Sequence, residues 1–160
     1  MLNMIKHLFN RKRIMIEVKK DIFFSSDFND MDLELIYSFV KNSYWGNTRT
    51  FEEQKTASKN TINFGFFHNG NQIAYARVMT DKIFFAYLLD VFVIEGYQGK
   101  GYSKLLINNI LNFPELKNID KWMLATKDAQ ELYKRFGFTA IKSPEKLMEK
   151  LSPRAKIIYE

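Results

Sequence analysis

A chain of 160 residues can build one ordinary core but not two, and 46% hydrophobic with 16% aromatic residues excludes a disordered or linker-dominated chain. Without cysteine there are no disulfides, thiolate metal sites or cysteine nucleophile, which suits the reducing cytoplasm, where the chain is expected. The net charge of +6 comes from 24 basic and 18 acidic residues mixed along the chain, so no nucleic-acid partner is expected; nor is a membrane, because no run approaches the roughly 20 apolar residues that span a bilayer.

The first segment, "MLNMIKHLFNRKRIM", is basic, but Lys6, His7, Asn10 and Arg11 interrupt its apolar residues, so it lacks the continuous core of a signal peptide. Residues 1–13 are expected to be a small surface extension of a single domain spanning 1–160. Residues 14–24 mix β-branched and charged side chains and predict a strand at or near a sheet edge. Asn29 or Asp30 can then cap a helix over Met31 to Asn42, with Leu35, Ile36, Phe39 and Val40 on one face. A loop from Ser43 to Thr48 leads into a short polar helix over Phe51 to Ser58. From Asn63 the period shortens to two, predicting a hairpin that turns at Asn69, Gly70 and Asn71.

The next segment, "KIFFAYLLDVFVI", is nearly continuously apolar, as for a mid-sheet strand covered on both faces, and Asp90 is the one acid within its apolar run. A helix from Tyr102 to about Phe113 ends before Pro114, and "KWMLA" forms another strand. Asp128 or Thr126 caps a helix through Phe136 that Gly137 ends as a left-handed cap. Strands over Phe138 to Ile141 and around Lys156 to Tyr159 complete the prediction.

Between the apolar strand and the helix at Tyr102 lies a glycine-punctuated turn, Gln98-Gly99-Lys100-Gly101. Backbone N–H groups cluster where a helix begins, and with the positive end of the helix dipole they favour an anion, phosphate above all. Glycines at 99 and 101 allow the tight turn, and Lys100 and Lys104 add positive charge.

The turn resembles the "(R/Q)xxGx(G/A)" pyrophosphate loop of the GCN5-related N-acetyltransferase (GNAT) superfamily, read as Gln98, Gly99, Lys100, Gly101, Tyr102 and Ser103, with Ser103 in place of the final small residue. A second block, "LATKDAQELYKRFGF", places Ala129, Leu132, Tyr133, Gly137 and Phe138 as in that superfamily's "NxxAxxLYxxxGF" pattern; Thr126 stands where many members carry asparagine. The resemblance covers residues 60 to 140 most strongly. It implies an α/β fold of the acyl-CoA N-acyltransferase type: a central mixed, largely antiparallel sheet flanked by helices.

The resemblance also implies acetyl-CoA as cofactor and acetyl transfer to a primary amine of a small molecule or peptide, by direct attack in a ternary complex. Backbone groups of Gly99, Lys100, Gly101, Tyr102, Ser103 and Lys104 would hold the pyrophosphate, with Gln98 opening the loop. Val91, Phe92 and Val93 would lie along the pantetheine arm, with the amide near Val91 facing the thioester oxygen. Tyr133 becomes the candidate proton donor to the departing thiolate.

The general base is open between Asp90 and water. Tyr87 stands where some members carry a glutamate, and Asp90 reads equally as a structural partner for Arg77. Tyr44, Trp45, Arg49, Arg77 and Tyr87 are the acceptor-pocket candidates; Arg49 or Arg77 could hold an acceptor carboxylate, and Trp45 could enclose an apolar part. His7 and His68 are not expected to be catalytic. Two rival readings remain, a non-catalytic acetyl-CoA-binding regulatory module and a nucleic-acid-binding protein with an incidental turn. Oligomeric state is open, a homodimer included.

Overall fold

The computed structural model describes residues 15–159, so the reading of the basic N-terminal segment lies outside the described residues. Six strands form one sheet in sequence order: β1 (Ile16–Lys19), β2 (Ile22–Ser25), β3 (Ile62–His68), β4 (Asn71–Thr80), β5 (Phe85–Val93) and β6 (Lys121–Met123). Every neighbouring pair is antiparallel except β5–β6, which is parallel. The mixed sheet is flanked by α1 (Leu33–Lys41), α2 (Phe51–Lys59), α3 (Tyr102–Leu111) and α4 (Gln130–Lys134), and α5 (Pro153–Tyr159) follows near the C-terminus.

The first predicted strand is in fact a hairpin. Asp21 turns the chain at φ +61°, and its N–H donates to Glu17 Oε1 at 2.9 Å, splitting residues 14–24 into β1 and β2. The first long helix is capped by Asp32, whose carboxylate accepts from Leu35 N–H at 3.0 Å. Asn29 and Asp30, the expected caps, belong to a separate 3₁₀ turn over Phe28–Asp30 that Asp27 caps. Helix α2 carries a reciprocal capping box between Thr50 and Glu53. The β3–β4 hairpin turns where expected, with Asn69 and Gly70 both at positive φ as a two-residue primed turn requires.

Two apolar layers sandwich the sheet. On one face Leu106, Ile107 and Ile110 of α3 pack on Phe64, Phe66 and Leu88; on the other Ile36 and Val40 of α1 pack with Phe67, Tyr75 and Phe92. The expectation of a doubly covered strand fits β4, buried continuously from Gln72 to Val78, better than β5, where Tyr87, Leu89 and Val91 are only half-buried. For Leu89 and Val91 the reason is that β5 meets β6 only from Phe85 to Tyr87 and runs on without a neighbour on that side.

Past α4 the prediction of strands fails twice. Residues 138–141 are not a strand: Phe138 N–H is bonded to Tyr133 O, and its ring meets that of Tyr133 edge-on at 5.8 Å, so the chain folds back on α4. The tail is helical because Ser152 Oγ accepts from Ala155 N–H at 3.2 Å and Pro153, with its fixed φ, occupies the first turn. No helix among the described residues is long and apolar enough to cross a membrane.

Candidate active site

The turn after β5 is built to leave donors free. Gly99 (φ +73°) and Gly101 (φ +84°) take the left-handed conformation, and a Cβ at either would meet no atom within 4 Å, so backbone conformation rather than crowding selects glycine. Gln98 Nε2 ties the turn to Val93 O at 2.8 Å, and Lys100 Nζ folds back on Gly96 O at 2.6 Å. Gly101 starts α3 and offers no side-chain cap, so the first amides of the helix, at Tyr102, Ser103 and Lys104, have no partner among the described residues. They face a cavity of about 270 Å³ lined also by Val93, Gln98, Gly99 and, from α4, Leu132.

The cavity meets β5 at Val93, the end of a strand edge that lacks a partner. The ladder with β6 stops at Tyr87 and Met123, leaving the β5 edge from Leu88 to Val93 unpaired on that side. Within this stretch the pairing with β4 slips: Arg77 lies opposite Leu89 and Tyr75 opposite Phe92, so Asp90 and Val91 together face Ala76. This is a β-bulge with Asp90 at φ +51°, which interrupts the regular β4–β5 register at Asp90 and Val91. The Phe92 side chain stacks on Phe39 at 4.0 Å in the core, so Phe92 can offer a ligand only its backbone.

Tyr133 lies on α4, next to the Leu132 that lines the cavity. Its side chain is buried and packs with the α3-side core, and its hydroxyl has no hydrogen-bond partner among the described residues. Burial, reinforced by nearby Tyr44, pushes the phenol up to about 12, so it holds its proton throughout the neutral range. Thr126 Oγ1 accepts from Ala129 N–H at 3.0 Å, shaping the approach to α4; the helix itself starts one residue later, with no side-chain cap from Thr126 or Asp128.

The bulge anchors a charged cluster. Asp90, on the α1–α2 side of the sheet, accepts from Arg77 Nε at 2.6 Å and from Arg49 Nη1 at 2.8 and 2.9 Å. Burial alone would raise its carboxyl, but the charges and hydrogen bonds of the two guanidiniums outweigh it and hold the pKa below the usual carboxylate range. That geometry favours the structural reading of Asp90 over the general-base reading, since its lone pairs are committed and its proton affinity is low.

Arg49 closes a loop from residue 43 whose other end reaches α4, where Lys127 N–H donates to Tyr44 Oη at 3.2 Å. Trp45 meets Tyr44 edge-on at 5.1 Å, and its buried indole N–H has no partner among the described residues. Gly46 fits tightly against Val40 and fixes the loop's path. Tyr87, half-buried, lines up between Met79 and Met123, and burial raises its phenol.

Three polar residues behind the cluster escaped the sequence reading. Gln54 accepts from Arg49 Nη1 at 2.9 Å and donates to Asp90 Oδ2 at 3.3 Å, while Ser58 bonds both Gln54 and Tyr75 Oη. Gln54 and Ser58 lie four residues apart on α2, and that polar pair on the buried face of an otherwise charged helix was the available signal. A larger cavity, about 520 Å³, lies beyond β6 between Trp122, Phe136 and the coil through Leu147, and its lining includes no residue of the turn or the bulge.

A sheet splayed beside a bulge, with an uncapped glycine turn at its mouth, defines the acyl-CoA N-acyltransferase fold class. A family model, the acetyltransferase (GNAT) domain, matches residues 60–140. The chain belongs to the GNAT family of acetyltransferases.

Solved structures agree. A protein placed in the GNAT family as a predicted acetyltransferase, from Xanthomonas campestris pv. campestris, is 37% identical over 82% of this chain and 94% of its own, with a TM-score of 0.79. Two more distant structures share the fold. A predicted acetyltransferase with acetyl-CoA from Clostridium acetobutylicum has a TM-score of 0.61, is 16% identical and covers 82% and 96% of the two chains. Glucosamine-6-phosphate N-acetyltransferase from Arabidopsis thaliana has 0.57, 17%, 81% and 97%. No curated protein matches the sequence.

Proposed function

We propose that this chain moves the acetyl group of acetyl-CoA to a primary amine of a small molecule or peptide by direct attack in a ternary complex. The observation that carries the reading is the cavity at the start of α3, where amides without partners among the described residues lie beside the end of the unpaired β5 edge at Val93 and beside Leu132, the neighbour of Tyr133 on α4. The donor set suits the cofactor: the amides of Tyr102, Ser103 and Lys104 match a pyrophosphate, and an unpaired strand edge at Val91, Phe92 and Val93 matches an amide-bearing arm. When bound, acetyl-CoA supplies an acetyl group activated as a thioester.

The chain's own residues supply position and protons. The Val91 amide, beside the bulge, is the donor for oxygen charge. Tyr133 Oη, kept protonated by burial, would give its proton to the departing sulfur as the C–N bond forms and the C–S bond breaks, and solvent would return a proton to the phenolate. The amine's surplus proton passes to water, because Asp90 is held ionised in its pairs with Arg49 and Arg77. Asp90 therefore positions both arginines.

Calorimetry with acetyl-CoA, beside thiol release over a panel of amines, tests the reading. Saturable binding with amine-dependent thiol release is expected. Binding without release would favour a regulatory module, and no binding would reject the cofactor assignment.

A further inference from the structure

We propose that the acceptor carries a carboxylate beside its amine, and that Arg49 and Arg77 grip it together at the Asp90 bulge. This rests on the transferase reading above and narrows its substrate class.

Charge is the first argument. Two guanidiniums converge on one carboxylate, leaving a surplus of one positive charge where the Arg77 and Asp90 side chains are 9% and 1% exposed and Arg49 is 21% exposed. A carboxylate needing only a structural partner is satisfied by one arginine; a second one held in a poorly hydrated place is costly unless an anion joins it. No other carboxylate forms an ion pair with either arginine among the described residues.

Donor geometry is the second argument. A guanidinium has five N–H groups in a planar fork. Arg49 makes all its bonds through Nη1, and Arg77 makes its bond through Nε. Arg49 Nε and Nη2 and both terminal nitrogens of Arg77 thus have no partner among the described residues. They are not sealed in: Trp45 Nε1 is a buried nitrogen without a partner, but no nitrogen of either arginine is. Gln54 braces the pair by bonding Arg49 on one side and Asp90 on the other.

The size of the surplus selects the anion. One positive charge is balanced by a monoanion, and a planar carboxylate matches the guanidinium fork, whereas a phosphate dianion would leave the cluster net negative. The arginines sit at the bulge that contains Val91; on the transferase reading, which puts the Val91 amide at the thioester oxygen, a carboxylate gripped there would put an amine one or two carbons away beside the acetyl-transfer point. The acceptor class is therefore an amino acid or a similarly compact amino-carboxylate.

The test measures thiol release from acetyl-CoA by the full chain, using free amino acids paired with their carboxamides. Each acid should exceed its amide at least tenfold in kcat/KM, as a charge-assisted bidentate contact provides. Arg49→Gln should collapse the preference to within threefold, mainly by raising KM for the acid. Arg49→Lys, which keeps the charge and loses the fork, should retain part of it, with thermal melts confirming that both variants fold. Equal rates for acids and amides, or an undiminished preference in Arg49→Gln, would overturn the inference and leave the transferase reading standing. Acetyl-CoA binding with no thiol release in either series would reject the transferase reading and this inference with it.

Discussion

Replacing Tyr133 with phenylalanine separates chemistry from packing. The ring is 8% exposed and packs edge-on against Phe138, while the hydroxyl bonds to no described residue. Below pH 9, deleting that oxygen should change stability by less than about 1 kcal/mol, since no protein hydrogen bond is lost. The phenol's pKa rises from 10.0 unfolded to about 12 folded, so its proton is held more tightly in the native state. That contribution is complete below pH 10 and is lost as pH rises towards 12. By pH 11 the wild type should have lost about 1.4 kcal/mol that Tyr133→Phe never had. Urea melts of both proteins from pH 8 to 11 read this difference directly and cancel the contribution of Tyr75, which burial also raises. In the thiol-release assay, kcat should fall roughly 100-fold or more, the lower end of a general-acid contribution, with acetyl-CoA affinity changed less than about threefold. A kcat within threefold of wild type, or affinity falling in step with kcat, would refute the assignment of Tyr133 as proton donor.

Four further substitutions test the scaffold. Asp90→Asn leaves two guanidiniums on a neutral amide and should cost about 3–5 kcal/mol at pH 7 by denaturant titration. The lowered Asp90 pKa makes its contribution complete above the unfolded value of 3.8 and lost as pH falls through the lower folded value, so the variant should lose part of the acid-side decline in stability. Gly101→Ala puts a Cβ on a left-handed residue and should cost about 1–2 kcal/mol while weakening acetyl-CoA binding; Gly70→Ala, at the same conformation in the distant hairpin, should cost as much and spare binding in calorimetry. Gly46→Ala would set a Cβ 2.2 Å from Val40 Cγ1 and should destabilise by about 1–3 kcal/mol, with a raised acceptor KM because the loop carrying Arg49 shifts.

What the chain reveals by inspection is what depends on local pattern. The Asn69–Gly70 turn and the left-handed Gly137 are written within a few residues each, and the structure has them where the sequence put them; the Thr50–Glu53 capping box is equally local but escaped the sequence reading. The glycine turn and "LYKRFGF" were likewise legible as motifs. The bulge at Asp90 was not, because a slipped register depends on how β4 and β5 align across 13 residues of separation. Arg49 meets Asp90 from 41 residues away, so periodicity could name both as candidates without joining them. The C-terminal strands were misread for a different reason: a short apolar run such as Ile157 to Tyr159 is compatible with strand or helix, and the Ser152–Pro153 start signal decided for helix.

The glycine turn has a consequence for how such a protein can change over time. On the proposed reading its ligand-facing groups would be main-chain amides at the start of α3, so side chains at Tyr102, Ser103 or Lys104 could be exchanged without altering what those amides offer. The proposed acceptor grip would instead reside in the side chains of Arg49, Arg77 and Gln54, where one codon change rewrites it. A duplicated gene would therefore inherit its donor intact while its choice of acceptor drifted, which makes this architecture a ready source of enzymes that differ in what they modify and not in what they spend.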